Sequence, residues 1–509
     1  MQEAKGVHEM TKMKGRIPGI IISAVLTVVV IAFIILLVWT QMLPTHLLIL
    51  GSIAIVLIAV AAGLLVRRTA YKVQFTFGTI LAVLLTAVLA FAGSYLYMTV
   101  NTLNQISSVR TQYTPVGIYV RTDDPAQTIA DTQGYHFGIL KTLDRENTDN
   151  IVSQIEDQLG GTIQTTEYEG LTQMIDALLE EETDAVIMNL AYLDVLSELD
   201  KYRDIESRIR ELSVLHVETI VEEQPVQTQD ENITVNKEVY TIYVSGSDTR
   251  QGLNTVGRSD VNIIATVNTE TRQILLVTTP RDYFVPLSIS NGVPDKLTHA
   301  GIYGVNVSME TLEMLYETDI DYYFRLNFTG FTGIVDALGG ITVDNEVEFE
   351  KGNYYYPVGK VEMDGKKALT FARERYSFID GDIQRGKNQL KVISAIIDKA
   401  MSPDILMNYA SIMKSIEDCF EMDVPYNDIA ALVRRQLSDN RNWNVVQYSV
   451  TGFGDSQIPY SMSDYAYVMQ PDYETVNKAK ELMKKVRDGE IVVINKLPTE
   501  ESYVDPYEE

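Results

Sequence analysis

Cysteine is almost absent from this chain of 509 residues, in which Cys419 is the only one. A single thiol cannot form an intramolecular disulfide, which excludes a secreted domain held together by disulfides and any metal site built from several cysteines. The sequence also lacks internal repeats and low-complexity tracts. Its folded parts must therefore depend on apolar cores, and the 46% hydrophobic content is enough to build them.

Positive charge is also scarce. The chain has 42 Lys and Arg against 69 Asp and Glu, which gives a formal net charge of −27. Nucleic acid is excluded as a partner on this ground, because DNA binding relies on neutralising phosphates with Lys and Arg. A local basic site inside an acidic surface is not excluded.

Three long segments near the N terminus carry no charge at all: Ile17–Trp39, Leu47–Val66 and Phe75–Tyr97. A helix of 23 residues, the length of the first segment, spans roughly 35 Å and can cross a bilayer with some tilt. Any one segment alone could be a buried core helix, but three in succession predict a membrane anchor. A cleavable signal peptide would be shorter and would not be followed by two further spans.

The loops between these segments predict the orientation. The tail before Ile17 and the second loop, with Arg67, Arg68 and Lys72, are basic, whereas the first loop, Thr40–His46, has no Lys or Arg. The positive-inside rule places the tail and the second loop in the cytoplasm and the long C-terminal part outside the plasma membrane. An external part without disulfides is typical of a Gram-positive surface.

Composition and pattern divide the chain into successive regions. Glu222–Asn236, which is rich in Glu, Gln, Thr and Asn, reads as a linker between two folded domains. The predicted regions are a cytoplasmic tail (1–16), three transmembrane helices (17–97), a stalk (98–115), an accessory domain (116–215), a second domain (238–488) and an acidic C-terminal tail (489–509).

The accessory domain is predicted to be a small α/β domain because strand and helix patterns alternate along it. We find no cluster of catalytic residues in it. The predicted strands are Gly117–Arg121, His136–Leu140, Thr162–Thr166 and Ala185–Asn189, and the predicted helices are Asn147–Leu159 and Gly170–Glu181.

The second domain begins with three predicted strands, Val239–Ser245, Val261–Val267 and Gln273–Thr279. If neighbouring strands pair antiparallel, the end of the first and third strands lies beside the start of the second. The charged residues that this arrangement brings to one sheet edge are Asp248, Arg258, Asp260 and Arg281.

Two interpretations of that edge remain open. The first is a pair of surface salt bridges, each of little energetic value. The second is a divalent cation on the carboxylates with Arg holding a phosphate, since Mg²⁺ prefers a few carboxylates completed by phosphate and water.

A second basic group favours the phosphate interpretation. Arg373 and Arg375 lie two residues apart, so in an extended segment they point the same way. Arg385 and Gln389 lie four residues apart and share a face at the start of a long amphipathic helix. A helix N terminus attracts anions, and the planar Arg side chain matches phosphate oxygens in pairs.

Between these groups lies an apolar stretch, Leu297–Gly340, with helix-like segments at Gly301–Tyr316 and Thr329–Leu338 around the strand Tyr322–Phe328. Most of its apolar side chains are expected to form ordinary core, and some could line a pocket for a lipid tail. The candidates for a lipid pocket are Phe324, Leu326, Phe328, Phe331, Ile334 and Val335.

Five ordered blocks resemble the signature of the LytR-CpsA-Psr (LCP) family. They are Ser245–Arg250, Gly257–Asp260, Thr278–Asp282, Asp295–Ala300 and Phe371–Gln389. The three-helix anchor followed by an accessory α/β domain resembles the streptococcal-type branch of the family, which acts in capsular polysaccharide biosynthesis.

The resemblance implies a fold and an activity. The second domain would be an α/β/α sandwich that acts as a glycopolymer phosphotransferase. It would take a glycan polymer from a polyprenyl pyrophosphate lipid and join it to peptidoglycan through a phosphodiester. Cell-wall biogenesis at the membrane follows from that activity, with Mg²⁺ as the cofactor or Mn²⁺ in its place.

The resemblance also assigns roles to residues. Asp248 and Asp260 would hold the metal, and Arg281 with Asp260, Asp248 and Asp382 would form the catalytic set. Asp382 and Asp282 are two alternatives for a general base, which the sequence does not identify. The expected pyrophosphate contacts are Arg258, Arg281, Lys296, Arg373, Arg375, Arg385 and Gln389.

Two other functions compete with the enzyme. One is a membrane regulator of capsule synthesis and chain length that acts through a partner polymerase or kinase, because a cytoplasmic tail of 16 residues is too short for a helix-turn-helix. The other is a scaffold that binds the polyprenyl lipid without chemistry.

Overall fold

The chain forms two compact units, one of residues 1–107 and 424–442 and the other of residues 108–423 and 443–509. A computed structural model describes residues 2–68, 72–106, 111–220, 238–247, 255–400, 412, 420–439 and 441–494. The predicted linker at 222–236 and most of the predicted acidic tail lie outside the described residues. Within the second unit the accessory and second domains pack together.

The first unit contains three long helices, α1 (Gln2–Thr40), α2 (Thr45–Arg67) and α3 (Lys72–Ile106). Each is long and apolar enough to cross a bilayer, which supports the predicted membrane anchor. Apolar side chains also cover the outward faces, as at Leu57 and Phe91, where a water-soluble bundle would carry polar residues.

The helices of the anchor pack closely. A Cβ on Gly78 of α3 would lie 2.6 Å from the Cβ of Leu65, so glycine permits this approach. A later helix, Tyr426–Asp439, belongs to the same unit. The Tyr426 hydroxyl donates to the Thr40 carbonyl at 2.8 Å, and the Arg434 Nε donates to the Gln41 carbonyl at 2.8 Å. These two bonds hold the later helix to the turn between α1 and α2.

The accessory domain is a five-stranded sheet in the order β3-β2-β4-β1-β5 with helices on both faces. Successive side chains alternate across the sheet, so Ile118 and Ile187 pack under α4 while Tyr119 and Val186 pack under α5 and α6. Its elements are β1 (Thr111–Arg121), β2 (His136–Leu140), α4 (Arg145–Leu159), β3 (Gln164–Tyr168), α5 (Leu171–Leu179), β4 (Ala185–Asn189), α6 (Ala191–Ser197), α7 (Ile205–Arg208) and β5 (Ile209–Ile220).

The predicted stalk is one region whose boundaries differ in the structure. Residues 98–115 were expected to be a stalk, but α3 continues to Ile106 and β1 begins at Thr111. The polar residues at the end of α3 form helix turns beyond the apolar span. The first residues of β1 pair with β5, as Tyr113 does with Glu218.

The second domain is built on a six-stranded sheet in the order β16-β11-β6-β7-β8-β17. The three-strand antiparallel meander β6-β7-β8 is as predicted. The strands and short strands that precede the first long helix are β6 (Val239–Ser247), β7 (Ser259–Asn268), β8 (Gln273–Thr279), β9 (Phe284–Pro286) and β10 (Pro294–Lys296).

The remaining elements complete the layers. They are α8 (Leu297–Ala300), α9 (Val305–Tyr316), β11 (Tyr322–Asn327), α10 (Phe328–Ala337), β12 (Ile341–Asn345), β13 (Phe349–Lys351), β14 (Tyr354–Tyr356), β15 (Gly359–Met363), α11 (Gly365–Arg373), α12 (Asp382–Ala400), β16 (Phe420–Met422), α13 (Tyr426–Asp439, in the first unit), β17 (Asn444–Ser449), β18 (Gly452–Gln457), β19 (Ala466–Pro471) and α14 (Tyr473–Arg487).

Helices cover both faces of this sheet. Ile264 of β7 faces a core shared with α9 and α14, whereas its neighbour Ile263 faces the side of α12. Because successive side chains of a strand point to opposite faces, β7 contributes residues to both cores. This arrangement confirms the α/β/α sandwich that the resemblance implies.

The last described residues, 489–494, differ from the predicted acidic tail. The Val492 N–H donates to Gln273 Oε1 at 2.8 Å, and the Val492 side chain is buried. This stretch therefore packs on the edge of the sandwich.

Candidate active site

The charged residues of the meander meet at one edge of the sheet. Ser247 at the end of β6 pairs with Ser259, and Thr279 at the end of β8 pairs with Asn262. This register places Asp260 beside the segment that follows β8. The Arg281 Nη1 donates to Asp260 Oδ1 at 2.9 Å.

Arg281 and Asp260 are held in a nearly buried environment, with about a tenth of the Arg281 side chain exposed. Burial alone would raise the pKa of Asp260, but the charges of Arg281, Arg258 and Arg385 outweigh it and hold that pKa below its usual range. Asp260 is therefore ionised. Burial likewise opposes the charge on Arg281, whereas Asp260, Asp282 and Glu198 raise its pKa by more.

The second basic group borders the same cavity from α11 and α12. Arg385 Nη2 lies 2.7 Å from Asp382 Oδ1 in the first turn of α12. Gln389 follows one turn later, and its Nε2 donates to the Ala372 carbonyl at 3.4 Å. The predicted shared face of Arg385 and Gln389 is present, and both side chains are buried.

Arg373 and Arg375 reach this cavity differently from the prediction. Arg373 is the last residue of α11 rather than part of an extended segment, and its guanidinium lies 4.1 Å from the centroid of the Phe328 ring. Arg375 Nη2 donates to the Tyr376 hydroxyl at 2.7 Å. The helix ends between the two arginines, so each is positioned by its own aromatic neighbour.

Two of the arginines at this cavity keep a buried donor that, among the described residues, has no protein acceptor within hydrogen-bond distance. These donors are the Nε atoms of Arg281 and Arg385. A buried donor that lacks an acceptor is costly, and an anion in the cavity would satisfy it.

The charged end of the cavity, which is lined by Arg258, Arg281, Lys296 and Arg385, is called its mouth below. The rest of the cavity is apolar, and the total volume is about 1330 Å³. Seven cations and five carboxylates line it, which leaves a net charge of +2 in a chain whose total is −27. The apolar lining comes from one face of the sheet and from three helices: Ile242, Val244, Val261, Ala265, Val267, Ile274, Leu276, Phe324, Leu326, Phe328, Phe331, Ile334, Leu369, Val392, Ile393, Ile396 and Ile397.

The structure brings most of the predicted site residues to this cavity. All seven predicted pyrophosphate contacts line it, as do Asp260, Asp282 and Asp382. Asp248 lies outside the described residues. Of the six candidates for a lipid pocket, Val335 is the exception, because it does not line the cavity and is fully buried in a core with Ile341, Phe349 and Phe371.

One residue of the site was missed. Glu198 follows α6 of the accessory domain, and its carboxylate accepts from Arg258 Nη1 at 2.8 Å and from Lys296 Nζ at 2.6 Å. Burial opposes ionisation of Glu198, but Lys296, Arg281 and His299 lower its pKa to about 2. No local motif marks this residue, so only the packing of the two domains reveals it.

The carboxylates differ in their protonation chemistry. Burial raises the pKa of Asp382, with Asp282 acting in the same direction, although the arginines around it oppose the change. Asp260 has its pKa lowered in the same cavity. Because the pKa of Asp382 is raised and that of Asp260 is lowered, Asp382 is suited to accept a proton and Asp260 to remain an anion.

The residues present fit a divalent cation in a limited way. Among the described residues there is no group of three or more His, Cys, Asp or Glu that could hold a metal alone. Asp260 offers one ionised carboxylate that lines the cavity. Mg²⁺ commonly binds one or two carboxylates and takes its other ligands from phosphate and water, so Asp260 fits one such position.

The second domain is similar to known proteins. The model of the LytR_cpsA_psr family matches residues 207–485. The polyisoprenyl-teichoic acid–peptidoglycan teichoic acid transferase TagU of Enterococcus faecalis is 32% identical over 245 residues, which cover 48% of this chain and 80% of that protein. The protein of the same name from Bacillus licheniformis is 31% identical over 220 residues, covering 43% and 70%.

Among solved structures, the crystal structure of Bacillus subtilis TagV covers 50% of this chain and 98% of that one, at 25% identity and a TM-score of 0.42.

The fold and the cavity define an α/β/α protein that has three helices able to cross a membrane and a cationic mouth over an apolar pocket. Because the matched region spans more than half of the sequence, the chain belongs to the LytR-CpsA-Psr family.

Proposed function

We propose that this protein is a glycopolymer phosphotransferase that moves a glycan from a polyprenyl pyrophosphate carrier to peptidoglycan. The observation that carries the proposal is one cavity with two chemistries, an apolar interior and a cationic mouth. Its volume of about 1330 Å³ exceeds the roughly 300–1,000 Å³ of an ordinary small-molecule pocket. The relatives above, which are named as transferases of polyisoprenyl-linked polymer, support the same activity.

The chemistry follows from the charges at the mouth. A hydroxyl oxygen of the acceptor attacks the phosphorus that carries the glycan. The bond from this phosphorus to the bridging oxygen of the lipid phosphate breaks, and polyprenyl monophosphate leaves with its electron pair. The glycan phosphate then joins the acceptor as a phosphodiester, and the hydroxyl proton passes to a base, for which we propose Asp382.

Arginines supply most of the stabilisation that this step needs. Phosphoryl transfer requires mainly positioning and neutralisation of negative charge rather than covalent help from the protein. Arg281 and Arg385 present buried donors to the cavity. Asp260, together with Asp248 beyond the described residues, would hold Mg²⁺ or Mn²⁺, which neutralises charge on the phosphate oxygens when bound.

The anchor and the accessory domain suggest a setting for the activity. The basic tail and second loop favour a cytoplasmic N terminus and an external catalytic domain, where flipped lipid-linked glycan and cell wall are available. We infer capsular polysaccharide as the polymer, because three spans and an accessory domain resemble the capsule branch. The relatives named for teichoic acid make that polymer the comparison substrate in any assay.

The lipid pocket can be tested by shortening it. Ile397 lines the cavity twelve residues after Arg385 on α12, a distance of about 18 Å along the helix. Ile397→Trp should therefore raise the KM for a long polyprenyl pyrophosphate substrate about tenfold or more, since each CH₂ lost from the pocket costs about 0.8 kcal/mol. A short-chain prenyl pyrophosphate should be used with an unchanged KM.

Met314→Trp is the matched control, because Met314 is exposed on α9, which packs on the opposite face of the sheet. The measurement is the steady-state release of prenyl monophosphate as a function of substrate chain length. An equal KM change for long and short chains in Ile397→Trp would exclude this cavity as the place of the lipid tail.

A further inference from the structure

The accessory domain places a carboxylate among the cations of the second domain. Glu198 is the first residue after α6, and it binds Arg258 Nη1 at 2.8 Å and Lys296 Nζ at 2.6 Å. Its Oε1 also lies 3.8 Å from Arg281 Nη2. These are three of the seven side chains that we expect to contact pyrophosphate, and all three are nearly buried.

The position of Glu198 is fixed by the packing between the domains. Val195 and Leu196 of α6 belong to one apolar core with Ile302, Met462 and Ala466 of the second domain. The Tyr192 hydroxyl on the same helix also donates to the Tyr303 hydroxyl at 3.2 Å. A helix held in this way fixes the position of Glu198, the residue that follows it, at the mouth of the cavity.

Glu198 also faces the place where a ligand would bind. Its side chain is about one fifth exposed, and it lines the large cavity. A carboxylate and a phosphate present the same kind of anionic oxygen acceptor to Arg and Lys. The Arg258 and Lys296 donors that bind Glu198 therefore cannot bind a phosphate oxygen in the same position at the same time.

We propose that Glu198 is an internal anion that occupies part of the phosphate site and competes with the pyrophosphate head group. This inference rests on the proposed function, since it assumes that Arg258 and Lys296 bind phosphate during turnover. The competition lowers the affinity for phosphate groups and helps the charged monophosphate product to leave. The accessory domain thus sets how tightly the mouth of the second domain holds its ligand.

The test measures binding of inorganic pyrophosphate to the full-length protein in detergent by isothermal titration calorimetry, without added metal. Glu198→Gln keeps the shape of the side chain and removes its charge, and Glu198→Ala removes both. Both variants should bind pyrophosphate at least tenfold more tightly than the unaltered protein. Asp194→Asn is the charge control, because Asp194 lies on the same helix but is exposed and 3.8 Å from Arg258, so it should change the affinity less than threefold.

A second readout keeps the test independent of reduced stability. If loss of Glu198 removes one ion-pair partner from these cations and lowers the melting temperature, added pyrophosphate should raise the melting temperature of Glu198→Gln by more than that of the unaltered protein. Unchanged or weaker binding in both Glu198 variants, with no larger rise in melting temperature, would overturn the inference.

Arg281→Ala separates the two proposals. If this variant loses pyrophosphate binding while the Glu198 variants bind no more tightly than the unaltered protein, only the role of Glu198 is wrong. If Arg281→Ala binds pyrophosphate as well as the unaltered protein does, the proposed phosphate site itself is wrong and the inference falls with it.

Discussion

Replacing Arg281 by alanine is expected to lower glycopolymer transfer by at least about a thousandfold. Removal of one donor that stabilises developing charge commonly costs 10²–10³ in rate, and an arginine on a transferring phosphoryl group contributes about 10³–10⁵. Arg281 combines both features, because it is nearly buried, bonds Asp260 at 2.9 Å and has a buried Nε that lies 3.6 Å from Asp282 Oδ2, beyond hydrogen-bond distance. The measurement is the rate of attachment of labelled polymer to peptidoglycan.

Arg145→Ala is the matched control for this variant. Arg145 is an arginine of the accessory domain that pairs with Asp149 and Glu167 on the surface. Its loss should leave transfer within about twofold of the original rate, since exposed ion pairs contribute little. A folded Arg281→Ala protein, as judged by its melting temperature, that retained most of the transfer rate would show that the cationic mouth is not the reaction site.

Replacing Asp382 by asparagine is expected to lower kcat by about 10²–10⁴, the usual contribution of a general base. The raised pKa of Asp382 also predicts how the rate should depend on pH. A base works only when deprotonated, so the rate should fall as the pH drops through the pKa of Asp382. That fall should lie at a higher pH than an ordinary aspartate, with a pKa of 3.8, would give.

The Asp382→Asn variant should lack this acidic limb of the kcat profile and keep a low, flatter rate. Asp380→Asn is the control, because Asp380 is an exposed aspartate two residues earlier, in the turn that precedes α12. The profile should be measured with saturating lipid substrate. If Asp382→Asn keeps both the rate and the acidic limb of the unaltered protein, the proton acceptor is another group, with Asp282 as the next candidate.

Much of this site could be predicted because it depends on local order along the chain. The ends of three consecutive antiparallel strands meet at one edge, so the pairing of Arg281 with Asp260 follows from strand order alone. The common face of Arg385 and Gln389 follows from the helical period in the same way. Both features need only the element type and its direction.

Other features depend on packing that no period reveals. Phe331 and Ile334 line the cavity, whereas Val335, the next residue of α10, does not and is fully buried in a core with β12 and β15 that Phe331 also joins. All three are apolar residues on one helix. The elements that pack against α10 decide which of these side chains lines the cavity and which is enclosed in the core.

Glu198 shows the same limit over a longer distance. It lies 60 residues before Arg258 and 98 before Lys296 in the sequence. The accessory domain had offered no catalytic cluster, because its contribution is one side chain brought in by an interface between domains. A sequence pattern within either domain alone could not have shown it.

Reconstitution of the complete reaction tests the proposed glycopolymer transfer most directly. The full-length protein in lipid vesicles would be given polyprenyl-pyrophosphate-linked capsular polymer, peptidoglycan and Mg²⁺. We expect polymer joined to peptidoglycan through a phosphodiester, with an equal amount of polyprenyl monophosphate released and with both products lost when the metal is chelated. Failure to attach polymer under these conditions, or attachment that Arg281→Ala supports equally well, would contradict the account.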